Sequence, residues 1–515
     1  PAGVDEIIGG VKDWLDKNPS YRGNNELLGK FMRGEGWKKG PAVLAGSKFY
    51  STNGWLPAAT HGWYTTMMEY DGNPRYEYEY GYSQGYRVNV ALRDGEVLTR
   101  NWSNQGLHVN MNEQKEFELL TYKIGADDLK YAPQYGDLAP GRIGNGSLVY
   151  TVPVASAALK DAALTYDNLV AAGETKQVPA LRTAQPGKPG VLVLRMPSSY
   201  VYLGGTLTGK ATVGNGGSVK ILFSRNNGAD WKEIFAKTDA GDVDLNVDLK
   251  PSIFRTYDYR LKFELTGAGT GLNALKIDQT IQNSQRSLPA LDQGKNTITF
   301  SAGNPGPVAA AGAAAGAPPQ FEGTITVEAG AQQAPQGGQI GTADFHPALQ
   351  NLQANGYGSQ VQGGSGSITF PIETPGPITH VRFGCHYRAM DARDKWELQV
   401  SFDAGKSWTT AGTCEGGVKG SCKYVTFDTP PKGAKQVQVR YLGTQVSESI
   451  LFSYCINVDY VEPHAGFRPV QVTYVYDEDG KEKRNVHVAK SAQETYTIEC
   501  ATKPVLKSLI VELAK

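Results

Sequence analysis

No cysteine occurs before Cys385; the five in this 515-residue chain are Cys385, Cys414, Cys422, Cys455 and Cys500. A papain-like or transglutaminase-like thiol nucleophile is therefore excluded from the N-terminal half. No C-x-x-C pair offers metal spacing, and a phosphate-binding Walker loop, a HExxH helix and a G-x-S-x-G elbow are all missing. No cofactor and no metal are expected. No apolar run approaches the roughly 20 residues of a spanning helix, so membrane insertion by a helix is not expected. Charge of one sign is also lacking. The 51 basic and 51 acidic residues cancel, which leaves no net field to attract nucleic acid.

What the chain does have is 61 Gly, 28 Pro and 27 Tyr against only six Met. That composition predicts many short strands joined by turns over aromatic cores. The expected fold is mainly β: tandem antiparallel β-sandwiches, a small α+β N-terminal region and a C-terminal β-meander. The expected divisions are an α+β region over 1–125, a sandwich over 126–335, a second over 336–465 and the meander over 466–515. The start at Pro1-Ala2, with no leader-like run, is expected of a processed, secreted chain.

Helical periodicity is confined to 4–17 and 25–32. Beyond His61 the pattern turns to β, with a Tyr76/Tyr78/Tyr80/Tyr82 ladder and a further hairpin expected from Arg87–Leu92 and Val97–Trp102. Tyr257, Tyr259, Leu261, Phe263 and Leu265 alternate with polar residues as a half-buried strand does. Residues 303–320 form a Gly/Ala/Pro tract. Its flanks, Asn296–Phe300 and Gly323–Val327, read as two strands of one hairpin carrying the tract at its tip, since long insertions add little closure entropy. In the last unit, strands are expected at 469–477, 481–489, about 494–500 and about 505–513.

The strongest local pattern is K-W-E-L-Q-V-S-F-D-A-G-K-S-W, Lys395–Trp408. Trp396, Leu398, Val400 and Phe402 alternate with polar residues and then run into Asp403-Ala404-Gly405. There Asp can fold onto backbone N–H groups and Gly can take a positive φ. A returning strand would lay Trp408 over the turn. Ser224-x-Asn226-x-Gly228-x-x-Trp231, preceded by Val219, Ile221 and Phe223, is another copy, earlier in the chain, with Asn for Asp. The pattern resembles the Asp-box (BNR-like) hairpin of sialidases and related secreted β-proteins. More loosely, Arg286–Leu291 and Lys503–Lys507 resemble parts of large exported bacterial multi-β-sandwich proteins. The resemblance implies hairpins that shape the fold and lie away from chemistry. It does not carry over sialidase catalysis, which needs an arginine triad, a Tyr and paired carboxylates, nor a propeller, which needs several regularly spaced copies.

Four sets of residues invite a chemical reading. Trp63, Glu69, Tyr76, Tyr78 and Tyr80 would suit a glycan, whose apolar faces pack on aromatic rings. Within the same stretch His61, Tyr64 and Arg87 would supply the base and the neutralising cation of a polysaccharide lyase. The alternative is an amphipathic ribbon whose Tyr face packs on the N-terminal helices. His380, His386, Tyr387, Arg388, Asp391, Arg393 and Asp394 read as a sandwich-edge ligand site or as surface ion pairs. Asp477-Glu478-Asp479-Gly480 lacks the downstream ligands of a calcium loop. Cys385 with Cys455 is an expected disulfide between sandwich faces, and Cys414 with Cys422 one that closes a short loop, leaving Cys500 over.

The expected function is an extracellular or cell-surface structural or adhesive protein that is non-catalytic and either self-associates or binds glycan. The alternative is a carbohydrate-active enzyme, a polysaccharide lyase or glycosidase, with its site near His61–Arg87.

Overall fold

The computed structural model describes residues 91–103, 143–172, 179–198, 200–254, 256–284, 288–302, 322–330, 342–355, 358–462 and 467–514. Within them the regular secondary structure is nearly all antiparallel strand, arranged in five sheets. The expected N-terminal helices and the tyrosine ladder lie outside the described residues.

The first sandwich faces a ten-stranded sheet with a five-stranded one. The larger sheet runs Gly241–Asp248, Val201–Val213, Gly271–Ser284, Ile143–Val152, Glu96–Asn101, Val505–Leu513, Val470–Glu478 and Lys481–Ala489, with two short strands beside this path. The smaller runs Thr165–Asp167, Gly190–Pro197, Asp258–Thr266, Ser218–Ser224 and Lys232–Lys237. Their inner faces close one core, to which Tyr259, Leu261, Phe263 and Leu265 contribute as the alternation predicts. Asp242, Asp244 and Asp248 lie on the solvated edge strand Gly241–Asp248.

The second sandwich pairs a six-stranded sheet with a five-stranded one. In the first, Ser449–Val461 lies centrally between Ile378–Ala389 and Glu322–Gly330. The second runs Ala348–Gln350, Gly364–Glu373, Gln436–Gln445, Lys395–Ser401 and Thr409–Cys414. Trp396, Leu398 and Val400 are buried in its core, while Lys395 and Glu397 pair outside it.

Three pairings depart from expectation. The hairpin around the Gly/Ala/Pro tract does not form. Gly294–Ser301 pairs with Gln493–Cys500, and Glu322–Gly330 pairs with Ser449–Val461. The tract therefore joins different sheets, and Glu322–Gly330 belongs with the second sandwich although it lies before residue 335. Of the hairpin expected from 87–92 and 97–102, most of the first strand lies outside the described residues, while Glu96–Asn101 has both edges taken, by Ile143–Val152 and Val505–Leu513. Finally, all four C-terminal strands form, but the third leaves its neighbours to pair with Gly294–Ser301, while the other three extend the ten-stranded sheet. A small core closes between these layers, including Ile298, Tyr474, Ile498 and Leu509. Alternation marks a strand and its buried face, but not which distant strand it meets.

The expected disulfides are also absent among the described residues, where Cys385, Cys414, Cys455 and Cys500 are thiols. Cys385 and Cys455 sit on adjacent strands of one sheet. Cys385 lies opposite Tyr454 and Cys455 opposite Gly384, so their side chains leave on opposite faces and cannot meet. Instead Cys385 faces Cys414, and the side chain of Cys422 lies outside the described residues.

Candidate functional site

Two turns are built alike. At the second copy Ser401 donates its hydroxyl to Asp403 Oδ1 at 2.8 Å and accepts the Gly405 N–H at 2.9 Å, and Asp403 Oδ1 accepts the Ser407 N–H at 2.9 Å. These bonds hold the Asp403 carboxyl down at about 2; the Ser407 hydroxyl contributes most, followed by the Ser407 N–H and the Ser401 hydroxyl. At the first copy Ser224 bonds Asn226 Oδ1 at 2.8 Å and accepts the Gly228 N–H at 2.9 Å, and Asn226 Oδ1 accepts the Asp230 N–H at 3.0 Å. Gly228 and Gly405 have φ of 87° and 85°. A carbon added to either would lie 3.4–3.5 Å from Trp231 or Trp408, so each indole does rest beside its glycine. The Arg440 guanidinium covers Trp408 at 3.7 Å, and the Lys262 ammonium covers Trp231 at 4.7 Å.

The copies differ in what they touch. Asn226 is buried, and its Nδ2 donates to the Asp344 carbonyl at 2.6 Å, a bond that an Asp in its place could not make. Arg225 reaches both Asp344 carboxylate oxygens at 3.2 Å, Asn227 donates to the Thr326 carbonyl at 3.2 Å, and His346 meets Asp230 at 2.5 Å. The first hairpin is thus a plug that docks the first sandwich onto the second, where the short 3-10 helix Thr342–Phe345 receives it.

A second crossing is buried. Arg195 interrupts the apolar strand Gly190–Pro197 and points away from the core residues Leu194 and Met196. It donates to Asp258 through Nε at 2.7 Å and to the Tyr460 hydroxyl at 3.1 Å, and Nη2 also reaches the Thr324 carbonyl. Thr324 Oγ1 in turn donates to Asp459 at 2.6 Å, and Asp459 receives a two-pronged contact from Arg382, at 2.6 and 2.9 Å. The polar chain therefore runs unbroken from Asp258 in one sandwich to Arg382 in the other. Burial alone would lower both arginines, but Asp258 and Tyr460 outweigh it at Arg195, and Asp459 does so at Arg382, so both are raised. A third set adjoins it. His380 Nδ1 lies 3.6 Å from buried Glu322, which raises the imidazole despite its partial burial.

Of the residues picked from sequence, His61, Trp63, Tyr64, Glu69, Tyr76, Tyr78, Tyr80 and Arg87 lie outside the described residues. The His380–Asp394 set does not converge. Arg388 pairs with Glu448 at 2.8 Å and Arg393 with Asp391 at 2.8 Å, while His386 rests on Phe452. Asp394 is buried and accepts the N–H groups of Asp391, Val446, Ser447 and Glu448, which outweigh the desolvation that would raise it and hold its carboxyl low. Asp479 and Gly480 form a two-residue turn with φ of 51° and 74°, and Glu478 pairs with Lys483. Among the described residues no group of three or more His, Cys, Asp or Glu could hold a metal ion. The reading from sequence missed Arg195, Asp258, Asp344, His346, Arg382 and Asp459. The available signal was a charge inside an otherwise apolar strand, as at Arg195 in Val191–Met196 and Asp459 in Leu451–Tyr460.

No family model matches the chain, and no curated protein matches it. Similar solved structures include an isomalto-dextranase of Arthrobacter globiformis complexed with panose (9% identity, TM-score 0.16, 53% of this chain and 35% of that one). Dimeric latent PorU from Porphyromonas gingivalis is another (8%, 0.21, 63% and 32%), as is the infectious bursal disease virus VP2 subviral particle (12%, 0.19, 83% and 79%). This chain spans about a third of the length of the first two. At such TM-scores no argument about function rests on them. No helix among the described residues is long and apolar enough to cross a membrane.

Proposed function

We propose that the chain is a structural or adhesive protein of the cell surface, carrying no reaction itself, that presents two rigidly joined sandwiches for self-assembly or for holding glycan. The observation that supports this is the sandwich junction. Arg195 and Asp258 are 7% and 13% exposed, and Arg382 and Asp459 are 9% and 4% exposed. Each of these buried pairs lies within one sandwich, and the crossing is made by Arg195, which donates to the Tyr460 hydroxyl and the Thr324 carbonyl of the other. A desolvated pair of this kind adds little net stability, because desolvation offsets its attraction, but it tolerates few alternative arrangements. Rigid orientation of modules is what a building block or a display stalk needs. The two Asp-box-like hairpins fit the same reading, one as a plug and one as a capped surface turn.

Electron microscopy of native material tests the proposal, together with a glycan-binding and degradation screen on the full chain. Regular polymers, or saturable binding without turnover, support it. Polysaccharide turnover abolished by Tyr64→Phe or His61→Ala would replace it with the enzyme reading.

A further inference from the structure

Cys414 closes strand Thr409–Cys414, and after Glu415-Gly416-Gly417 the chain crosses into Val418–Phe427 of the opposite sheet. That strand pairs with Ile378–Ala389, which carries Cys385. At this corner the two sheets of the second sandwich are drawn together, and the Cys385 and Cys414 sulfurs lie 3.8 Å apart. Both thiols face the same core, with Cys385 3% and Cys414 0% exposed.

We propose that Cys385 and Cys414 are a thiol/disulfide site, an inter-sheet link that closes on oxidation. A disulfide needs the sulfurs at about 2.05 Å. Two sulfurs already in van der Waals contact reach that by side-chain rotation and a small shift of the corner. Thr409–Cys414 is the edge strand of its sheet, held on one side only by Lys395–Ser401. Local fraying of this edge exposes Cys414 first, while Cys385 stays on an interior strand between Val418–Phe427 and Ser449–Val461. The oxidant is a low-molecular-weight disulfide. Cys414 loses its proton to solvent, attacks one sulfur of that disulfide and expels one small thiolate. Once the strand re-docks, Cys385 loses its proton, attacks the Cys414 sulfur and expels the second. Two protein thiols are oxidised and one small disulfide is reduced to two thiols. The site is independent of what the sandwiches bind, so it stands or falls apart from the function proposed above.

The probe is oxidised glutathione, applied to the full chain in the folded state. Maleimide labelling in denaturant should count five thiols in reduced protein and three after oxidation. Unreduced proteolysis should then yield one linked peptide pair containing Cys385 and Cys414. Cys455→Ala and Cys500→Ala should still lose two thiols, whereas Cys414→Ser should lose none to an internal link. Melting of the oxidised protein should rise by roughly 5 °C, as expected for closing a loop of this length in a cooperative unit of this size. A link through Cys422 or Cys455, a glutathione adduct that never resolves, or five thiols remaining in folded protein would each overturn the proposal.

Discussion

Replacing Arg195 by Met removes the one side chain that ties Asp258, Tyr460 and Thr324 together. Methionine fills much of the volume with no donor. The Asp258 carboxylate, 13% exposed, is left without its guanidinium, and the Thr324 carbonyl and Tyr460 hydroxyl each lose a bond. Removing one partner of a buried pair costs about 3–5 kcal/mol, far above the value of an exposed ion pair. In urea, with a slope of about 3 kcal/mol/M, that moves the midpoint down by about 1 M or more. The double variant Arg195→Met/Asp258→Leu removes the orphaned charge, so most of the loss should return. A single variant that loses less than about 1 kcal/mol, or a double variant whose loss equals the sum of the two singles, would refute the reasoning.

The two hairpins should respond unequally to exchange of their turn residue. Asn226→Asp turns the donor facing the Asp344 carbonyl into an acceptor and should cost about 2–3 kcal/mol by equilibrium unfolding. Asp403→Asn keeps Oδ1, which the Ser401 hydroxyl and the Ser407 N–H use, and gives up only the Oδ2 acceptor of the Ser407 hydroxyl at an exposed turn, so its loss should be the smaller of the two. Because the Asp403 carboxyl is depressed when folded, its contribution is complete above the ordinary value near 4 and is lost as pH falls towards about 2. An acid titration should therefore show a step that Asp403→Asn removes. His380 runs the other way. Its raised folded value makes the contact with Glu322 fully stabilising below pH 6.5 and progressively lost as pH climbs above it, a slope that His380→Gln should flatten. Trp396→Ala, at a fully buried position, should cost about 3–5 kcal/mol and is checked by the same denaturation assay.

The parts legible in the sequence were those whose cause is local. Lys395–Ser401 and Asp258–Thr266 carry their buried face in their own alternation, and Asp479-Gly480 carries its turn in two residues. What distant segments decide was not legible. Nothing near Asn296 announces a partner at Ile498, and nothing near Ile325 announces Val458. The cysteine pairing failed for the same reason, since a one-residue offset in register turns Cys455 to the face opposite Cys385. Asn226 looked like a weakened Asp-box residue because its amide donors, one of which reaches the Asp344 carbonyl from 118 positions away and another the Asp230 carboxylate, explain the choice. The arginines of the junction were passed over because an isolated charge in an apolar strand gives no hint of its partner's location.

Native-state hydrogen exchange across a denaturant series reads out whether the junction locks the two sandwiches into one body. Amides of Gly190–Pro197 and Glu322–Gly330 should merge into one opening isotherm in the native protein and separate in Arg195→Met. Separate isotherms in the unaltered chain, or no change in the variant, would contradict a locked junction.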